Sequence, residues 1–197
     1  MVKLELDRII ELEKMLHAFA CVERTGLRIR GSNAKENDAE HSFFLTMLAW
    51  YVIDVTGLPL DISRVIRYAL VHDLVEVYAG DTSILDAEAV KTKHKREKAA
   101  QERIKKEFPE FLGLNEAIHA YENQDDEESR FVKALDKVDP VLSNYIQKGR
   151  GWKEMRIGFD WLVSHKRERL AHHTGMSELF EEIIARIEPQ KGKFFAK

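Results

Sequence analysis

Apolar residues recur every three or four positions along most of the chain, which is the spacing of amphipathic α-helices. No stretch shows the sustained alternation of apolar and polar residues expected of a half-buried β-strand, and no segment repeats at a fixed period. We therefore expect an all-α fold in which residues 1–197 form a single domain. The longest predicted loop covers residues 25–38. The predicted helices cover residues 4–23, 39–55, 61–79, 86–108, 111–123, 127–148, 152–171 and 177–187.

Capping and breaking residues set the ends of several predicted helices. Asp38 is the expected N-cap of the second helix, and Gly57 is expected to end it. The third helix is expected to run without interruption to Gly80. Pro140 is expected to kink or split the helix predicted over residues 127–148, because proline has no backbone N–H to donate.

Composition narrows the class of protein. With 44% hydrophobic and 33% charged residues, the chain has enough apolar material for a core. Its net charge of −3 argues against a nucleic-acid polymer as a partner. The single cysteine, Cys21, excludes an internal disulfide framework and is typical of a reducing compartment. The apolar run at residues 41–53 has 13 uncharged positions, short of the roughly 18–20 that a membrane span needs. We expect a soluble cytoplasmic protein.

Two predicted helices carry carboxylates on or beside an apolar face. Asp73 and Glu76 end an apolar stripe on the third helix, and Asp136 lies among apolar residues of the helix over 127–148. A buried carboxylate needs a cation, a metal or strong hydrogen bonds. Taken singly, Asp136 could pair with a lysine or arginine, and His72 could be a hydrogen-bonded core histidine. A metal shared between the two helices explains both anomalies at once.

The combination of His41, His72-Asp73 and Asp136 is more specific than any of its members. Two imidazoles and two carboxylates suit one divalent ion, Mn, Fe, Co, Ni, Zn or Mg, rather than a metal that prefers thiolates. In this order and spacing the residues resemble the HD-domain metal-dependent phosphohydrolases. The sequences around them resemble the branch that contains the 5′-deoxynucleotidases, and the likeness covers about residues 10–148. These sequences are Ala39-Glu40-His41-Ser42, Val71-His72-Asp73-Leu74-Val75-Glu76-Val77-Tyr78-Ala79-Gly80-Asp81 and Phe131-Val132-Lys133-Ala134-Leu135-Asp136-Lys137.

The resemblance implies an HD-type helical bundle, usually a homodimer. It also implies that His41, His72, Asp73 and Asp136 hold one divalent metal. Residues 152–190 would pack on the metal-site core or form a dimer face.

The same likeness assigns roles to residues beside the metal. Glu76 and Asp81 would be catalytic, and Arg24 and Arg30 would meet the substrate phosphate. The chain has Thr25 where the resembled bacterial deoxynucleotidase has tryptophan, and its loop from Arg24 to the first histidine ligand is longer. Both departures fall where a sugar or base would be bound.

Three functional hypotheses follow. The leading one is a phosphomonoesterase that uses a metal-activated water to remove phosphate from nucleoside 5′-monophosphates, with deoxyribonucleotides preferred. An alternative keeps the metal and takes a nucleoside triphosphate, a cyclic nucleotide or an alarmone as substrate. A third is a non-catalytic regulatory module in which the metal clamps helices together.

Two further features of the sequence indicate structural rather than functional roles. The basic run at residues 91–98 is expected to be a solvated helix face. Trp50 and Tyr51 are expected to lie in the core or in an interface.

Overall fold

The computed structural model describes residues 5–27 and 35–196. These residues form an all-α fold with one short antiparallel hairpin, and none of their helices is long and apolar enough to cross a membrane. The hairpin pairs β1, Glu23–Leu27, with β2, Lys35–Asn37. The α-helices are α1 Leu6–Phe19, α2 Asp38–Thr56, α3 Ile62–Val71, α4 Glu76–Ala79, α5 Ala87–Glu107, α6 Leu112–Asn123, α7 Glu127–Ile146, α8 Arg150–Glu154, α9 Phe159–Leu170 and α10 Thr174–Ile187. A 3₁₀ segment, Glu188–Lys193, follows α10.

Two apolar clusters form the interior, and the end of α3 lies where they meet. The larger cluster joins α2, α3, α7 and the C-terminal helices, while the smaller one joins α1, the segment after α3, α5 and α6. Val71, the last residue of α3, packs against both clusters. The residues that follow it, His72 and Asp73, are therefore held by packing from two sides. Fully buried members of the clusters include Leu45, Val65, Val132, Leu135, Phe180, Ile187, Ile104 and Ile118.

The N-cap of α2 lies one residue before the predicted position, so Asp38 is not the capping residue. Asn37 is the N-cap, and its side chain and that of Glu40 form a reciprocal capping box with backbone N–H groups. Asp38 is thereby free of the capping role and is fully buried. Gly57 ends the helix in the left-handed region, at φ 66°, as predicted.

The prediction of one unbroken third helix was wrong. The chain tightens after α3 into hydrogen bonds between residues three apart, Leu74 N to Val71 O at 3.0 Å and Glu76 N to Asp73 O at 2.8 Å. The short helix α4 then runs from Glu76 to Ala79, and Gly80 is its C-cap. Residues 72–75 are thus a turn, so Asp73 and Glu76 do not share the stripe that an unbroken helix would give them.

Other boundaries also differ. α7 runs through Pro140 without splitting, whereas the helix predicted over residues 152–171 is two helices, because Arg156 adopts φ 54° between them. The hairpin begins at Glu23, the last residue of the first predicted helix, and its other residues reach into what was predicted to be the loop over residues 25–38. Its described strands have five and three residues and a register irregularity, so they offer no alternation to detect.

Candidate metal centre

Three helices bring the four predicted metal ligands together. His41 lies in the first turns of α2, His72 and Asp73 follow α3, and Asp136 lies in the middle of α7. One donor atom from each residue lies within 4.8 Å of the donor atoms of the others. Both histidines are almost fully buried, and the two carboxylates are partly buried. The cluster is therefore a compact set of two nitrogen and two oxygen donors.

Each imidazole is oriented through its Nδ1 atom. Nδ1 of His72 lies 2.9 Å from the carbonyl oxygen of Ala69, one turn back on α3. Nδ1 of His41 lies 3.2 Å from the carboxylate of Asp139, which is itself buried. With Nδ1 of each ring facing an oxygen atom outside the cluster, Nε2 is the atom presented to the cluster. Histidine ligands of protein metal sites are commonly held by this kind of contact.

The contacts of Nε2 suit a cation at the centre. Nε2 of His41 is 3.0 Å from Asp136 Oδ1. Nε2 of His72 is buried and makes no hydrogen bond, although Asp73 Oδ2 is 2.9 Å away and Asp136 Oδ1 is 3.8 Å away. A buried nitrogen lone pair facing two carboxylates is unfavourable unless a cation lies between them. The donor set fits a divalent metal of borderline or hard character.

The pKa values of the cluster residues reflect attraction between the histidines and the carboxylates. Burial opposes protonation of His41, but hydrogen bonding to Asp136 and Asp139 outweighs it and raises the pKa to about 10. Burial opposes ionisation of Asp73, but the charges of His72 and Arg24 outweigh it and hold the pKa well below its usual range. Burial likewise opposes ionisation of Asp136, but the hydrogen bond with His41 and the charge of His72 outweigh it and lower the pKa of this carboxyl group. The cluster therefore favours ionised carboxylates and a positive charge between them.

Glu76 lies at the edge of the cluster. Its residue is 2% exposed, and carboxylate oxygens of Asp38, Asp73 and Glu76 lie within 4.8 Å of one another. Oε2 of Glu76 is buried without a hydrogen-bond partner. Burial and then the charge of Asp73 raise the pKa of Glu76 to about 9. Asp81 is partly buried in the loop after α4, and its charge adds a smaller contribution to the same shift.

Arg24 reaches the cluster from β1. Its Nη1 donates to Asp38 Oδ1 at 3.1 Å and also contacts Asp73 Oδ2, while Nε lies 3.8 Å from Glu36. The guanidinium is 17% exposed, so one buried cation faces several carboxylates. Arg30, the second residue predicted to meet phosphate, lies outside the described residues.

Four residues of this region were not recognised from the sequence. Asp38 was predicted to be a cap, no role was predicted for Asp139, and Lys93 and Arg96 were predicted to lie in a solvated basic run. Instead, Lys93 Nζ lies 3.4 Å from Glu76 Oε1, and Arg96 is turned toward the loop after α4. Only the spacing of Asp139, three residues after Asp136 and hence on the same face of α7, was a usable signal.

Comparison with known proteins identifies the family. The sequence profile of the HD domain matches residues 20–178. The 5′-deoxynucleotidase HDDC2 of Mus musculus is 36% identical over 123 residues, which cover 61% of this chain and 60% of that protein. The human HDDC2 is 31% identical over 136 residues, covering 68% of this chain and 65% of that protein. These matches thus span less than two thirds of either relative's length.

A solved structure shows the same architecture over the whole chain. The crystal structure of a predicted metal-dependent phosphohydrolase from Magnetospirillum magnetotacticum superposes with a TM-score of 0.80 at 25% identity, and the match covers 100% of both chains. Together with a family profile that covers most of the sequence, this likeness establishes that the chain belongs to the HD domain family.

Proposed function

We propose that this protein is a metal-dependent phosphomonoesterase that releases phosphate from nucleoside 5′-monophosphates, with a preference for deoxyribonucleotides. The observation that carries the proposal is the two-histidine, two-carboxylate cluster with the buried Glu76 and Arg24 beside it. The substrate class is supported by the relatives, which are 5′-deoxynucleotidases in mammals and yeasts.

His41, His72, Asp73 and Asp136 are the residues that would hold the metal. A divalent ion there would lower the pKa of a bound water and neutralise charge on the phosphate. Arg24 supplies a planar set of N–H donors suited to phosphate oxygens. Glu76 Oε2, buried and without a hydrogen bond, is the atom that we assign to proton transfer between the attacking water and the leaving 5′-oxygen. We also assign Asp81 a catalytic role, beside that of Glu76.

We further propose that two copies of the chain associate through the outer face of α2. From residue 43 to residue 53 this helix is apolar on all sides except at Thr46: Leu45 and Ala49 face the core, yet the opposite side is apolar and exposed. A helix that is hydrophobic all round is normally buried on every side. We call the exposed side the α2 face, and it consists of Phe43, Phe44, Met47, Trp50, Tyr51 and Val55.

Area and charge favour a second copy as the occupant of the α2 face. From the exposed fractions of its side chains, the face covers about 650 Å², more than a typical patch on a monomer. Two such faces would bury about 1,300 Å², enough for a specific interface. The face has no charged residue before Asp54 at its C-terminal end, so a symmetric contact brings few like charges together. Trp50 and Tyr51 then lie in an interface rather than in the core.

We make two further proposals, one on domain organisation and one on cellular location. Residues 1–197 form one domain, because α10 packs on α7 and Phe194 and Phe195 pack around Trp152. The protein works in the cytoplasm, because its one cysteine, Cys21, is exposed and has no second cysteine to pair with.

The first prediction is that phosphate release depends on metal and on a monophosphate. Protein treated with EDTA should release no phosphate, and addition of Mn, Co, Ni, Zn or Mg should restore release from a panel of ribo- and deoxyribonucleoside 5′-monophosphates. Deoxyribonucleotides should show the higher kcat/KM. The measurement is inorganic phosphate release for each metal and nucleotide.

The products distinguish the proposal from its alternatives. Release of pyrophosphate or triphosphate from larger nucleotides, with inert monophosphates, would replace the proposed substrate. Tight metal binding with no turnover on any phosphate ester would instead indicate a metal-clamped regulatory module.

A further inference from the structure

The loop between α4 and α5, residues 80–86, has little apolar anchorage. It contains Asp81, whose charge contributes to the raised pKa of Glu76 at the edge of the cluster, and it begins at Gly80, whose φ of 73° and ψ of 150° favour glycine. Thr82 is the buried side chain of this loop, while Ile84 and Leu85 are each about half exposed. A surface loop with so few buried contacts is expected to open locally at low cost unless polar contacts hold it.

Arg96 supplies such polar contacts from α5. Its Nη1 donates to the carbonyl of Ala79, and its Nη2 donates to Thr82 Oγ1 at 2.7 Å. Nη2 also lies 3.3 Å from the carbonyl of Ala89. The residues that it contacts, Ala79 and Thr82, flank Gly80 and Asp81. One guanidinium therefore holds both ends of the short stretch that carries Asp81.

The chemistry of this contact requires arginine. Among the described residues, no carboxylate oxygen forms an ion pair with Arg96, so its charge interacts with two carbonyls and with the hydroxyls of Thr82 and Thr92. A planar group with five donors on three nitrogens can reach several separated acceptors at once, whereas the three donors of an ammonium lie on one nitrogen. The partly buried position of Arg96 contrasts with Lys95 beside it, which is exposed.

We propose that Arg96 is a positioning residue that fixes the loop at 80–86 and thereby places Asp81 beside the metal centre. The consequence for turnover rests on the proposed function, in which Asp81 acts beside Glu76. The consequence for the loop does not, because the contacts of Arg96 are made with protein atoms alone.

The direct test is hydrogen–deuterium exchange of the full-length, metal-free protein. In Arg96→Ala the amides of residues 80–86 should exchange about tenfold faster than in the wild type, because the loop opens more often. Amides of α9 and α10 should keep their wild-type rates, and Lys95→Ala should match the wild type throughout. Unchanged exchange in the loop overturns the proposal, and so does a uniform acceleration across the whole chain.

Thr82→Val is the second variant, since it removes one acceptor of Arg96 while keeping the side-chain shape. Loop exchange should rise in Thr82→Val, and the double variant should behave like Arg96→Ala alone because both changes break the same contact. Independent, additive effects of the two changes would overturn the proposal.

Turnover gives a third readout, separate from folding. In Arg96→Ala, kcat for phosphate release should fall about 10–100-fold, with KM nearly unchanged. Added guanidinium at non-denaturing concentration should restore part of the loss, and Arg96→Lys should retain only part of the activity. Faster loop exchange with wild-type kcat would overturn the positioning role. If the wild type itself releases no phosphate, the proposed function fails, and the exchange experiment still decides whether Arg96 holds the loop.

Discussion

Glu76 is a carboxylate almost fully withdrawn from water, and Lys93 is its ion-pair partner at 3.4 Å. The same lysine lies 3.2 Å from Glu97, which is on its own helix. Burial and neighbouring carboxylates raise the pKa of Glu76 to about 9, a shift typical of groups that transfer protons. Glu97 shares the lysine but is not part of either carboxylate cluster, so it serves as a matched control for Glu76.

Glu76→Gln should therefore lower kcat for phosphate release by about 10²–10⁴-fold. The amide has nearly the same shape as the carboxyl group but cannot exchange a proton. Metal content and thermal stability should stay close to those of the wild type, since Glu76 is not among the four proposed ligands. Glu97→Gln should retain most of the activity. A Glu76→Gln protein with wild-type kcat would remove Glu76 from the mechanism.

Asp139 lies beside His41, one of the four proposed metal ligands. Because its carboxylate lies 3.2 Å from His41 Nδ1, Asp139→Asn should weaken the orientation and basicity of the imidazole. We expect metal affinity to fall about 10–100-fold, measured by competition with a chelator. Asp160→Asn, at an exposed position on α9, is the control and should leave affinity unchanged. Equal affinities in Asp139→Asn and the wild type would show that Asp139 has only a packing role.

At the scale of single residues, the candidate ligands could be predicted because their chemical types are unusual for the positions that they occupy. His72, Asp73 and Asp136 interrupt apolar faces, and their spacing is visible in the sequence. Lys93 and Arg96 could not be found in the same way, because a lysine or arginine on a charged helix is normally solvated. Their inward position depends on where α4 and its loop pack against α5, which the sequence pattern does not show.

Among the elements, α7 carries Asp136 and is fixed at its first turn by Asp126. The side chain of Asp126 accepts from Ser129 N at 2.8 Å and from the hydroxyl of Tyr68 on α3 at 2.6 Å. Burial opposes its ionisation, but the bonds from Tyr68 and Ser129 prevail and lower the pKa. One carboxylate thus caps α7 and also ties it to α3.

Asp126→Ala should destabilise the protein by about 1 kcal/mol near neutral pH, the usual contribution of an N-cap. Because folding lowers the pKa of Asp126, its contribution is complete above the ordinary value of 3.8 and is lost as pH falls through the folded value. The stability difference between wild type and variant, measured by urea unfolding, should therefore shrink in acid. Asp125→Ala, at the exposed neighbour, should show no such difference. A difference independent of pH would contradict the role of the charge.

Most helices could be predicted from periodicity and caps, but the break after α3 could not. Residues 61–79 keep helical spacing throughout, so the pattern favours one helix. The turn at residues 72–75 is stabilised instead by tertiary packing, in which Leu74 and Val75 enter the smaller cluster. Local sequence preferences are routinely overridden by such burial. The hairpin of β1 and β2 was missed for the related reason that its strands are too short for a pattern.

For the whole molecule, the α2 face is the surface through which we propose that two copies associate. The wild type should have twice the 22.9 kDa mass of one chain when measured by light scattering after size exclusion. Tyr51 is 66% exposed on this face, so Tyr51→Glu should convert the protein to a monomer with little change in its unfolding temperature. Two glutamates facing each other across a symmetric interface would be desolvated and would repel. Leu112→Glu, at an equally exposed leucine on α6, should remain dimeric. A monomeric wild type would reject a second copy as the occupant, and a dimer that tolerates Tyr51→Glu would place the interface elsewhere.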